Sequence, residues 1–388
     1  MTSPAARLAV FCDFSYRRDG DVVTAELPFS LFLEALARHF GAATLVGRLD
    51  PTGTRFPYEM RGIELAPLPY YASGADLRAV MRALPAAVRR FWELLGRVDV
   101  VWVLGPNPPH AIVFALLALA RRKRLVLGVR QQLPRLIRHR HPGRAHVWLA
   151  AWVLDQMFRL LGRVAGGVVV VGPELAREYR HSRRVHTALI SLLSEDDVAP
   201  ASEDQRDYDA AELRLLSVGR LDPEKNPLLM ADILRDALAT DPRWRLDVCG
   251  DGSLAEALEA RAGELGVSDR LVMHGHIGFG EPLWRLYRDS HALLHVSMTE
   301  GMPQVILEAF AARLPVVATA VGGVPEMVNG RGLLIAPRDA PAGAAAVQRL
   351  LDDAGQRAQH VQAGVDYVRR HTLQAESARL ARFLEGDA

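Results

Sequence analysis

The chain has 388 residues, of which 49% are hydrophobic and 24% charged, with a net charge of +2. That is the composition of a folded protein long enough for two domains, and it excludes disordered, fibrous and disulfide-stapled classes. Two cysteines, Cys12 and Cys249, leave no disulfide framework or cysteine-based metal site. No apolar run reaches the roughly 18 residues of a membrane span. The opening residues enter a strand without a signal-peptide pattern, so a cytoplasmic protein is expected.

In the first half the apolar runs RLAVFCDF, AATLVGRL, GIELAPLP, DVVWVLG, RLVLGVR and GVVVVG read as strands. They are continuous rather than alternating, as in a parallel sheet covered on both faces. Helical patterns such as PFSLFLEALARHF and HAIVFALLALARRKR lie between them, which predicts a doubly wound Rossmann-like domain over 1–200. The helix at 146–164 reads as a core element, although its two tryptophans and flanking arginines would also suit a helix lying against a membrane. The net charge conceals an asymmetry: residues 1–200 hold 27 basic and 17 acidic residues, and the remainder 20 and 28. No acidic residue lies between Asp99 and Asp155, where arginines crowd 121–124 and 130–144. Such a surface attracts phosphates or an anionic membrane face. Nucleic acid is not expected, because no recognised binding motif accompanies the charge.

Residues 194–213 are acidic and poor in large apolar groups, which predicts an exposed interdomain linker. The strand–helix alternation then restarts with LRLLSVGRL, WRLDVCGDG, RLVMHGHI, ALLHVSM, LPVVATAV and GLLIAP. A second Rossmann-like domain is expected over 201–370, with the two domains facing a cleft. The tail from about 356 to 383 reads as helical, and residues 371–388 are expected to pack back on the N-terminal domain.

Ligands of such sheets sit beyond the carboxyl ends of the strands. After LRLLSVG come Arg220 and Lys225, and Lys225 is one of only two lysines in an arginine-rich chain. Two cations five residues apart could grip a diphosphate and stabilise charge on a departing nucleoside diphosphate. GDG at 250–252 permits a tight turn with close ligand approach. His274 and His276 flank Gly275, and without a clear third ligand they suit structure better than metal binding. In 295–313 a loop carries Glu300, and Pro303 opens a helix that holds Glu308 about two turns in. Carboxylates there suit hydroxyl hydrogen bonds, and the positive helix terminus suits phosphate. GGVPE at 322–326 could add paired backbone N–H groups.

Taken together, GRLDPEKN (219–226), GDG (250–252), HGHI (274–277), EGMPQVILEAF (300–310), PVVATAVGGVPEMV (315–328) and GRGLLIAP (330–337) resemble the retaining GT-B-fold glycosyltransferases of family four. The resemblance implies that Arg220 and Lys225 hold the diphosphate of a UDP- or GDP-linked sugar, that Glu308 binds the ribose and that Glu300 approaches the sugar. It also places Gly219, Gly250, Gly252, His276, Gly301, Met302, Pro303 and Gln304 at the donor. The implied reaction retains anomeric configuration by front-face attack, needs no cofactor or metal, and delivers the sugar to an acceptor hydroxyl on a small molecule, glycan or lipid-linked molecule.

The first half departs from that pattern. The family's glycine pair after the first strand is reduced to Gly20, and Arg130 occupies the place of the expected histidine after the fifth strand. His110, at the start of a helix, is an alternative active-site histidine. A glycine expected near Arg313 is also missing. Two other readings share the features: a GT-B epimerase or phosphorylase, and a catalytically silent sugar-nucleotide binder. A nicotinamide dehydrogenase is disfavoured because neither domain opens with GxGxxG.

Overall fold

The computed structural model describes residues 5–20, 22–52, 56–72, 76–106, 109–138, 143–200, 202 and 206–386, and the backbone of 139–140. Parts of the GPNPP segment, of the 130–144 basic run and of the expected linker (201, 203–205) lie outside the described residues. The chain divides into two compact units. One runs to Leu192 and includes the segment from Leu373, and the other spans Leu193–Thr372.

The second unit is built on a six-stranded sheet among the described residues. In spatial order its strands are Leu271–Gly275, Trp244–Cys249, Leu213–Val218, Ala292–His295, Val316–Thr319 and Leu333–Ile335, and all pairs are parallel. Leu215, Leu246, Leu293, Leu294 and Val317 are fully buried, which is why their strands show no polar alternation. Strand order reverses about Leu213–Val218, whose sequence successor lies on one side and Ala292–His295 on the other. The loops leaving both strands therefore emerge side by side at the carboxyl edge.

The first unit carries a nine-stranded sheet among the described residues. Its parallel part joins Arg7–Asp19 to Ala42–Leu49 on one side and to Val100–Gly105, Arg124–Val129, Gly167–Val170 and Val185–Thr187 on the other. The first strand runs farther than its apolar pattern, to Asp19, because its polar end pairs antiparallel with Val22–Ala25, which in turn pairs with Tyr58–Met60. Gly20, at φ +59°, stands at the turn of that hairpin rather than in a loop directly after the strand.

The tail is helical, as two helices, Ala354–Arg370 and Leu373–Glu385. The second of these helices buries Leu380 and Leu384 in the core with Phe32 and Leu36, and the Leu384 carbonyl accepts from Arg124 Nε at 2.6 Å. The helix Ala145–Val164 is only half a core element: Phe158 and Ala151 are buried, whereas Leu149, Trp152 and Leu160 are more than half exposed. The segment read as a linker is anchored as well. Ala199 N–H donates to the Ala311 carbonyl at 2.9 Å, so 193–200 sit with the second unit.

Arg206 is the firmest of these anchors. Its guanidinium donates to the carbonyls of Ser290 (2.6 Å), Tyr287 (3.0 Å), Ala312 (2.9 Å) and Arg313 (3.2 Å). These are end groups of the helices Glu281–Asp289 and Gln304–Ala311, where carbonyls lack helical partners and a cation complements the dipole. Arg206→Met should therefore destabilise the second unit by about 3 kcal/mol, read as a lower urea midpoint for that unit. An unchanged midpoint would show that water satisfies the carbonyls equally well.

Candidate active site

Four loops at the carboxyl edge of the second sheet are joined by backbone hydrogen bonds. Gly219 N–H donates to the Cys249 carbonyl at 3.0 Å, Gly250 to Gly275 at 2.8 Å, Leu221 to Asp251 at 2.9 Å, Leu254 to Leu221 at 2.8 Å and Met298 to Glu224 at 2.8 Å. The close approach depends on glycine. A Cβ on Gly250, at φ +154°, would lie 1.8 Å from the Gly219 carbonyl oxygen. One on Gly322, at φ +54°, would lie 1.8 Å from that of Glu300, and one on Gly323 2.0 Å from that of Gly301. No side chain fits at those distances.

Glu300 is the hub of the loops. Its Oε1 accepts from Lys225 Nζ at 2.5 Å and Ser297 Oγ at 2.6 Å. His295 Nε2 stands 3.0 Å from the same oxygen as an ion-pair contact, without the alignment of a hydrogen bond. Burial alone would raise the carboxyl pKa, but His295 and Lys225 overcome it and hold Glu300 down at about 2. It is therefore an anion throughout the physiological range. Arg220 likewise has carboxylate partners, Asp222 and Glu224, the latter at 2.7 Å. The turn Pro223–Lys225, ended by Asn226 in the left-handed region, aims the two cations.

Glu308 lies in the buried face of Gln304–Ala311, with Pro303 at the cap position rather than inside the first turn. It accepts from Tyr287 Oη at 2.6 Å. Burial with a single neutral partner pushes its pKa up to about 7, and its charge reaches the Cys249 thiol beside Gly250. His274 is tied to Asp247 at 2.6 Å, in keeping with a structural role, whereas His276 is exposed. Arg313, where the resemblance expects glycine, has φ +58°. The position is left-handed, and the side chain takes a strain that glycine would avoid.

Sequence reasoning missed the partners: Ser297 and His295 on Glu300, Asp222 and Glu224 on Arg220, and Tyr287 on Glu308. Only His295 carried a signal, at the end of its apolar strand. In the first unit, Arg130 lies 4.7 Å over the Phe14 ring and 5.5 Å over that of Phe29. His110 is buried, stacked on Tyr71 at 5.7 Å, with neither ring nitrogen hydrogen-bonded among the described residues. Beside it is a second missed cluster. Asp13 pairs with Arg48 at 3.0 Å and accepts from Tyr71 Oη at 2.6 Å, and its burial raises its pKa to about 6.

Comparison with known proteins gives this geometry a family. The model of the glycosyl transferases group 1 family matches residues 201–366. The chain is 37% identical over 148 residues to glycogen synthase of Mycobacterium tuberculosis, covering 36% of this chain and 34% of that protein. It is 32% identical over 171 residues to D-inositol 3-phosphate glycosyltransferase of Corynebacterium aurimucosum, covering 42% and 40%. The chain thus spans only about a third to two fifths of the length of these curated relatives. The Anabaena Alr3699/HepE structure in complex with UDP superposes with a TM-score of 0.70 at 17% identity, over 98% of this chain and 99% of the other. An alpha,alpha-trehalose-phosphate synthase (UDP-forming) from Burkholderia vietnamiensis superposes with a TM-score of 0.72 at 16% identity, over 98% of each chain. The four stitched loops, and the motifs that form them, lie within the matched residues: the fold is that of the GT-B glycosyltransferases, and residues 201–366 match the glycosyl transferases group 1 family.

Proposed function

We propose that the chain moves a sugar from a nucleoside-diphosphate sugar to an acceptor hydroxyl, with retention of configuration and without a metal. The observation that carries this reading is the convergence of Arg220, Lys225 and Glu300 on adjacent strand-end loops of the group 1 domain. UDP in the HepE complex and the (UDP-forming) reaction named for the trehalose-phosphate synthase favour a nucleoside diphosphate.

In this reading Arg220 and Lys225 hold the diphosphate and stabilise the charge that grows on it as the glycosidic bond breaks. Both already have carboxylate partners, so an arriving diphosphate competes with Glu300 for Lys225 and with Asp222 and Glu224 for Arg220. Glu300, ionised and beside these cations, accepts hydrogen bonds from sugar hydroxyls; a carboxyl with a pKa of about 2 is no proton donor at neutral pH. Glu308 accepts the ribose hydroxyls. The backbone of Gly301–Gln304, with Gly219, Gly250, Gly252 and His276, forms the remaining wall on the donor side. Departure of the diphosphate on the face that the acceptor hydroxyl approaches leaves the configuration unchanged.

A thermal-shift panel of UDP, GDP and ADP with their sugar derivatives should identify the nucleotide, since a ligand that binds the native state raises its melting temperature. With that donor, Arg220→Ala and Lys225→Ala should each lower kcat/KM on the order of a hundredfold. Arg220→Ala should leave the melting temperature of the free protein nearly unchanged, whereas Lys225→Ala takes the cation from buried Glu300 and should lower it. Near-normal turnover in either would remove the diphosphate assignment. Glu308 gives a pH signature. Ribose hydroxyls donate to the ionised carboxylate, so binding below its pKa of about 7 must expel a proton. Nucleotide affinity should therefore fall with decreasing pH below that value, approaching about tenfold per pH unit, and calorimetry in buffers of different ionisation heat should detect proton release. Glu308→Gln should flatten the profile. A flat profile in the unaltered protein contradicts the ribose role.

A further inference from the structure

The helix Ala145–Val164 turns one side away from the core of its unit. Leu149, Trp152, Val153, Met157, Leu160 and Val164 are between 41% and 61% exposed. Apart from the adjacent Trp152 and Val153 they follow one another at three or four residues, which puts them in a stripe on one side of the helix. The opposite side is buried through Ala151, Asp155, Phe158 and Leu161. Six such residues on one side, interrupted by Gln156 and Arg163, exceed the scattered apolar exposure of an ordinary surface. The helix is not a span: no helix among the described residues is long and apolar enough to cross a membrane.

The surroundings of the stripe are cationic. Arg144 precedes the helix and Arg163 occupies its last turn. Next to the stripe, and sharing Leu160 and Arg163 with it, is a recess of about 460 Å³ whose lining includes Arg159, Arg177, Arg180 and His181. Glu178 is the carboxylate in that lining, and it is already held by Arg159 at 2.6 Å and Gln132 at 2.5 Å. Three further arginines therefore face the recess with no carboxylate of the lining matched to them.

We propose that this face seats in the headgroup region of an anionic bilayer, with the stripe among the upper acyl chains and a lipid phosphate in the arginine recess. Apolar burial and attraction to anionic lipid add for an interfacial helix, and long arginine side chains can lie along the apolar surface while their heads stay in the polar layer. A second copy of the chain fits poorly. A two-fold interface sets a patch against itself, which would bring Arg163, Arg177 and Arg180 against their own counterparts. The proposal does not depend on which donor or acceptor the chain uses.

Co-sedimentation of the full chain with vesicles of phosphatidylcholine alone, or mixed with equal phosphatidylglycerol, tests this. Pelleting should require the anionic lipid at low salt and should weaken as salt rises. The combined variant Leu149→Gln, Trp152→Gln and Leu160→Gln alters only exposed side chains and should keep the melting temperature. It should lower partition on the order of a hundredfold. Arg163→Glu with Arg177→Glu and Arg180→Glu should abolish the preference for anionic lipid. The proposal is overturned if the unaltered chain stays in the supernatant with anionic vesicles at low salt, or if the glutamine variant pellets as the unaltered chain does. It is equally overturned if sedimentation velocity in lipid-free buffer shows a dimer that the glutamine variant dissociates.

Discussion

A carboxylate cannot be buried without compensation, and Glu300 meets that constraint by collecting a cation, a hydroxyl and an imidazole from two loops. Much of the geometry at the edge of the second sheet follows from it. Lys225 reaches back from the turn after one strand, and Ser297 and His295 come from the end of its neighbour. The Met298–Glu224 backbone bond fixes the distance between their loops. Gly322 and Gly323 then close over the Glu300–Gly301 backbone because no Cβ stands in the way. The carboxylate thus holds Lys225, one of the two cations proposed for the diphosphate, so in that proposal arrival of phosphate and release of Lys225 from Glu300 are two sides of one exchange.

The two glutamates of the motif share a residue type and a short stretch of chain, yet the environment divides them. Glu300, beside Lys225 and His295, is held at about 2, whereas Glu308, with only a tyrosine hydroxyl to accept from, rises to about 7. The polar contacts and Coulomb attraction of His295 and Lys225 together outweigh desolvation in the first case, and desolvation outweighs one neutral hydrogen bond in the second. One group is a permanent anion and the other changes charge near neutrality. The helix that carries Glu308 is held at its far end by Arg206, so a segment with the composition of a linker stiffens the element that places this carboxyl.

The first unit contributes a different kind of surface. Residues 1–200 carry a net charge of +10, opposed by −8 in the rest of the chain, and arginines of this excess flank a helix with an exposed apolar side. Charge of one sign beside an apolar stripe is poor material for a protein interior but suits the boundary of a lipid layer. The same sheet gathers Asp13, Arg48, Tyr71 and His110 at its carboxyl edge, where Asp13 is held by Arg48 and the Tyr71 hydroxyl, and His110 stacks on the Tyr71 ring without a hydrogen bond among the described residues.

Local pattern was enough for much of this protein. Continuous apolar runs mark most parallel strands, including all six of the second sheet, because strands covered on both faces show no alternation. The spacing of Arg220, Lys225, Glu300 and Glu308 was legible because strand-end loops in such sheets have fixed roles. Strand pairing was less visible: the polar residues 17–19 extend the first strand because Val22–Ala25 lies beside them. Three matters belonged to tertiary structure alone. Which cation meets which carboxylate depends on loops 75 residues apart in sequence. The pKa of each glutamate depends on neighbours that no local window contains. And the helix Ala145–Val164, apolar enough in sequence to pass for core, is covered on one side only, because solvent exposure is decided by what packs against a residue and not by the residue itself.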